Sequence, residues 1–176
     1  MLLRIRVFKF VFIFKMTWAV LDCEMIKTLE KHTCVRSMYI LLENEVTDKY
    51  IEFLPCVDIK EIKFKYRRSF EYCTRYIHKL PYYPVKMSGP CYTAPTELER
   101  FIKKNNVSLI FYKGGEMEKH LCEYIGVPSY NIELLGALKV NSHNPRDEVV
   151  AHLKYLKSNC LQRIDAYMNN YWWFSL

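Results

Sequence analysis

No Cys-x-x-Cys pair occurs in this chain, although seven cysteines are scattered through it. That excludes the usual spacing of a zinc cluster, and an odd, dispersed set is not a disulfide scaffold. Free thiols in a reducing, intracellular compartment are the expectation, with nothing to separate cytoplasm from nucleus. A Gly-x4-Gly-Lys-[Ser/Thr] run is also missing, so Gly114-Gly115 reads as a tight turn and not as a phosphate cradle. Long apolar runs are lacking too. Within MLLRIRVFKFVFIFK the stretch Phe10–Phe14, bounded by Lys9 and Lys15, falls far short of the roughly 20 residues that cross a bilayer. No small-residue cleavage site follows it, and no membrane span is expected. Residues 1–15 are therefore expected to be an extension outside the core, the domain starting at Met16. There is no internal repeat and no low-complexity linker.

Acids are few beside bases, and the 176 residues carry a formal charge of +7. Such a balance favours an anionic partner, nucleic acid or an anionic membrane surface. The length suits one domain with a real core. A hydrophobic share of 51% with 26% charged residues is that of a globular chain. The positive charge is concentrated. Residues 59–86 hold eight Lys or Arg against two acids, +6 of the net +7, with seven aromatics interleaved. In Ile62-Lys-Phe-Lys-Tyr-Arg67 basic and apolar side chains alternate with period two. One face can pack while Lys63, Lys65, Arg67 and the adjoining Arg68 follow phosphates, exposed aromatics stacking on bases. The competing reading is an amphipathic element with solvated lysines.

The organising stretch is Trp18-Ala-Val-Leu-Asp-Cys-Glu-Met25, a short apolar run ending in Asp-x-Glu. Read as a strand, it puts Asp22 and Glu24 on one face at the strand's carboxyl end, close enough to hold one or two hard cations. Three other acid-x-acid pairs (Glu43/Glu45, Glu97/Glu99, Glu116/Glu118) make the spacing cheap; only the first closes a buried-type strand. Runs at 37–42 and 49–54, joined by a polar turn, read as two short strands, antiparallel neighbours of the first. Thr93–Lys104 reads as a helix with Thr93 as N-cap, Val107–Tyr112 as a central strand, and 116–125 as a helix stopped by Gly126. Residues 130–135 suggest a last short strand. Asn144-Pro145 opens another helix through about Lys157. The aromatic tail 159–176 follows a domain bounded at 16–158 and is too apolar to float freely.

The order is α/β around a mixed five-stranded sheet, the first three strands antiparallel. Its ligand belongs at the carboxyl ends of the central strands. Three separate segments bring acids or a histidine towards that rim: Asp22 with Glu24, Glu118, and His143 with Glu148. Glu118 and Glu148 also stand early in helices, where the dipole favours acids without any chemistry.

Leu21-Asp-Cys-Glu-Met25, Ile110-Phe-Tyr-Lys-Gly-Gly-Glu-Met-Glu-Lys-His-Leu121 and His143-Asn-Pro-Arg-Asp-Glu148 lie in the order of the three motifs of the DEDD 3′–5′ exonucleases. The chain resembles the histidine-using subgroup of that superfamily, of ribonuclease H-like fold, over about residues 17–157. The resemblance implies phosphodiester hydrolysis at a 3′ end of single-stranded RNA or DNA by two Mg²⁺ or Mn²⁺ ions. It implies Asp22, Glu24, Glu118 and Glu148 as ligands, with Asp147 as the alternative to Glu148, and His143 as general base. Two family aspartates are glutamates here, and Lys113-Gly-Gly115 stands where the second motif has His-Asn; Lys113 joins the residues expected to meet nucleic acid. Two further readings are a nucleic-acid-binding module without chemistry and a protein-partner-binding domain.

Overall fold

The computed structural model describes residues 17–29, 32–53, 62, 64–77, 79, 94–114, 116–137, 140 and 144–171. The expected extension 1–15, Met16, Lys63, Thr93, Gly115, His143 and residues 172–176 lie outside that set. No helix among the described residues is long and apolar enough to cross a membrane.

Five strands form an open mixed sheet: β1 (Thr17–Leu29), β2 (His32–Leu42), β3 (Asp48–Glu52), β4 (Val107–Tyr112) and β5 (Ser129–Asn131). Their order is β3-β2-β1-β4-β5. Strand β1 pairs antiparallel with β2 on one side and parallel with β4 on the other. Only β2 runs counter to the rest. This corrects the expected arrangement: β3 pairs with β2 alone, points the same way as β1, and is not its neighbour. The tight link between β2 and β3 dictates that order. Asn44 Oδ1 accepts from the amides of Val46 (3.0 Å) and Thr47 (2.9 Å), reversing the chain directly onto the strand it has just left.

Alternation along β1 feeds two cores. Ala19, Leu21 and Cys23 face α2 (Ala94–Asn105) and α3 (Glu116–Ile125), burying against Leu98, Phe101, Leu121 and Cys122. Trp18 and Val20 face α4 (Pro145–Asn159) and α5 (Leu161–Tyr171), against Val149, Leu153, Leu156, Ile164 and Met168. Each such side chain taken fully from water is worth about 1.5–3 kcal/mol. Ile164 and Met168, from the first part of the aromatic tail, are buried in this core. Helix α4 starts as its Asn-Pro opening requires: Asn144 Oδ1 accepts from the amide of Arg146 at 3.0 Å, with Pro145 at the first helical position.

Two expected elements differ. The period-two reading of 62–67 is overturned: Phe64–Tyr72 is a helix, α1, continued by a π-helical turn at Cys73–Ile77. Tertiary burial decides it, since Ile62 and Phe70 are buried together with Tyr66 and Cys73 packed beside them, a helical spacing. The strand expected at 130–135 ends at Asn131, where a 3₁₀ turn, Ile132–Leu135, begins. Asn131 Oδ1 takes the amide of Glu133 (2.9 Å), and Gly136 closes the turn at φ 84°, a conformation glycine adopts without cost.

Candidate metal and nucleic-acid site

The two strands at the centre of the sheet end at different places. Strand β4 pairs with β1 only as far as Leu21↔Tyr112, whereas β1 runs on to Leu29 with β2. The acids of β1 therefore stand in mid-strand and not at its end, but immediately past the end of its parallel partner. There the β4-side edge of β1 is open, and α3 fills it with a side chain. The amide of Cys23 donates to Glu118 Oε1 at 3.3 Å. Glu118 comes from the first turn of α3 and is only 2% exposed. Its other oxygen, Oε2, is buried with no hydrogen-bond partner among the described residues.

Asp22 and Glu24 share a face of β1, both lying before the bulge that offsets Glu24 and Met25 against β2. Tyr39 of β2, the register partner of Asp22, gives its hydroxyl to Asp48 at 2.6 Å. The Arg146 guanidinium lies 6.0 Å over the Tyr39 ring. That contact joins the first turn of α4, which also carries Glu148, to the register partner of Asp22.

The charges register this convergence. Burial first, then the charges of Glu148, Glu118 and Glu24, push the Asp22 carboxyl up from its ordinary 3.8 to about 8, with Lys113 pulling the other way. Burial likewise lifts Glu118 to about 7, against its own backbone amide and that of Cys23, with Glu24 and Glu148 adding to the rise. The Cys23 thiol, raised first by burial and then by Glu118 and Asp22, stays protonated. Glu24, Glu118 and Glu148, from three separated segments, thus each act on the buried Asp22 carboxyl. Asp147, the alternative to Glu148, is exposed and is not among the charges acting on Asp22.

The other acid-x-acid pairs are differently placed. Glu97 is as buried as Asp22, but it is ion-paired with Lys49 and Arg100, a neutralised structural group. Glu45 pairs with Lys157 at 2.5 Å, and Glu116 is exposed. At Asp22, by contrast, the neighbouring charges that raise the carboxyl are acids.

Lys113, expected to meet nucleic acid, follows the last residue of β4 and acts on Asp22 itself, which puts it in the carboxylate site. It also acts on His152. This imidazole, one helical turn beyond Glu148 on α4, is 2% exposed with Nε2 unpartnered among the described residues. Burial, then Lys113, lowers it from 6.5 to about 4, so it is neutral at pH 7. The i, i+4 spacing of Glu148 and His152 was the available signal. Lys65 and Arg68 are exposed on α1, and Arg67 is half-buried. His143 and Lys63 lie outside the described residues. A cavity of about 320 Å³ between Phe111, Tyr130, Leu135 and Arg163 is lined by none of the assigned acids.

Among the described residues, no three His, Cys, Asp or Glu side chains are grouped as a ready-made metal cage. No protein-family model matches the chain, and no curated protein matches it.

Proposed function

We propose that this protein is a metal-dependent 3′–5′ exonuclease of ribonuclease H-like fold, acting on single-stranded RNA or DNA inside the cell. The observation that carries the reading is the crowding of Asp22 by Glu148, Glu118 and Glu24 beside the end of β4. The donor set fits hard divalent cations. It is all oxygen, it is repulsive without a counter-charge, and Glu118 Oε2 is a buried oxygen in need of a partner. Asp22, Glu24, Glu118 and Glu148 would hold Mg²⁺ or Mn²⁺. When bound, a pair of such ions stabilises charge on the attacking and leaving oxygens of a phosphodiester.

The chain's own groups supply the rest. The amide of Cys23 fixes one Glu118 oxygen, and the other is buried without a hydrogen-bond partner among the described residues. Lys113 offsets part of the negative charge and offers a cation to a phosphate oxygen. His143 takes the proton of the attacking water, a role its ordinary pKa of about 6.5 suits. His152, neutral at pH 7, holds an uncharged imidazole one turn from Glu148 and adds nothing to the charge balance.

A second reading has one observation in its favour, the lack of a ready-made cage among the described residues. In that reading the site binds nucleic acid and cleaves nothing. A 5′-labelled single-stranded oligonucleotide separates the two. Stepwise shortening from the 3′ end in Mg²⁺ or Mn²⁺, abolished by EDTA, is expected; full-length label after prolonged incubation with either ion leaves the binding module.

A further inference from the structure

Helix α1 and its π-helical turn have two stripes. Ile62, Tyr66, Phe70, Cys73 and Thr74 turn inward, buried or half-buried. On the other side Lys65, Arg68, Tyr72, Arg75, Tyr76 and Lys79 are all exposed. Within 64–79 the one acid is Glu71, so the outer stripe is strongly positive. Two large aromatic rings in open water are costly unless something covers them. Tyr72 is 58% exposed and Tyr76 59%. Their ring centroids are 5.2 Å apart at 45°, and the Arg75 guanidinium stands 6.0 Å over the Tyr76 ring. The turn that carries Arg75 and Tyr76 is π-helical, a rare conformation found mostly at functional places. It displaces the residues after Tyr72 from the α-helical phase and brings ring and guanidinium out together. The stripe is roughly 20 Å long at 1.5 Å per residue, and α1 packs against β1, the strand of Asp22 and Glu24.

We infer that Tyr72, Arg75 and Tyr76 form a stacking platform for the unpaired bases of a single-stranded nucleic acid, whose phosphates run along Lys65, Arg68 and Lys79. Charge complementarity chooses the occupant: alternating cations and open rings match a polyanion that also presents flat π faces. A duplex hides those faces, so the platform selects single strands. Stacking is tolerant of sequence because every base has a π face, and the guanidinium adds a cation–π contact. The inference deepens the reading above and rests only on its nucleic-acid half. It also moves the contact from the alternating residues 63, 65 and 67 to a helical stripe that leaves Arg67 half-buried.

The test is fluorescence anisotropy of labelled single strands in EDTA, where hydrolysis does not intervene. Replacing both rings, Tyr72→Ala with Tyr76→Ala, is expected to weaken binding of an intact strand roughly tenfold or more, since one base on one ring is worth about 1–3 kcal/mol. An abasic strand of equal length should bind wild type and the double variant alike. Tyr72→Trp with Tyr76→Trp should restore affinity. Far-UV circular dichroism verifies the helix; both side chains are exposed, so no cavity is made. Ribose and deoxyribose strands are run in parallel, a loss with either one supporting the platform. Equal affinity of the double variant and wild type for intact strands overturns it, as does an equal loss on the abasic strand or no binding by wild type at all. Hydrolysis is read separately in Mg²⁺, so failure of the platform and failure of the nuclease reading are told apart.

Discussion

Asp22→Asn is expected to abolish 3′ shortening while leaving single-strand binding within about twofold of wild type. Asparagine keeps the shape of the side chain and one oxygen but removes the charge at the centre of the carboxylate group. Electrostatic stabilisation of the reacting phosphate by bound cations is worth several kcal/mol, so the rate should fall by roughly three orders of magnitude or more. Binding should survive because its contacts are cationic and aromatic, on α1 and not on β1. Glu97→Gln is the control for general loss of a buried acid: it breaks the ion pairs with Lys49 and Arg100 and should lower stability without touching the chemistry of folded protein. Time courses of labelled-strand digestion with both variants decide the matter. Undiminished digestion by the Asp22 variant would remove the assigned centre.

The second expectation is that wild-type protein without divalent ions loses stability as pH rises, and that Asp22→Asn loses markedly less. Below pH 3.8 the Asp22 carboxyl is protonated in both folded and unfolded chains, and its contribution is nil. Between 3.8 and about 8 the unfolded chain ionises while the folded one holds its proton. The unfolded state then binds fewer protons, so stability declines as pH climbs through that window. Glu118 acts in the same direction between 4.5 and about 7. By pH 8 the loss from Asp22 alone is on the order of 5 kcal/mol, and millimolar Mg²⁺ or Mn²⁺ should recover much of it by binding the folded carboxylates. Urea midpoints at pH 5 and pH 8, in EDTA and in Mg²⁺, give the four values needed. A variant whose midpoint drops with pH as steeply as wild type would show that the acids of this site are not under mutual repulsion.

Much of the centre of the fold was legible because it is written in local pattern. The run Trp18–Leu21 announces a buried strand, and Asn144-Pro145 a helix start. What stayed hidden was set by distant neighbours. In residues 62–67 the alternating pattern and the helical spacing of Ile62, Tyr66 and Phe70 coexist, and only the burial of Phe70 selects the helix. The length of β1 depends on the weakly apolar His32–Val35, which pairs with its far half. Glu148 and Asp147 are indistinguishable as residue types; the face of α4 that meets the sheet, marked by Val149 and Leu153, distinguishes them. A lysine after a strand likewise carries no sign in the sequence that its charge acts on Asp22, which comes from the neighbouring strand. The packing of Ile164 and Met168 shows the same limit, since a short amphipathic helix in an aromatic tail declares no partner until α4 is in place.

The unequal lengths of β1 and β4 have a mechanical consequence. Up to Leu21 the central strand is clamped by ladders on both flanks; beyond it, among the described residues, only β2 continues the ladder, with the carboxylate of Glu118 fastened at Cys23. Asp22 stands at the seam between the two regimes and Glu24 just over it. A flexing of the ribbon would thus change the distance between those two acids at little expense to the packed interior, leaving an incoming ion room to draw its ligands inward.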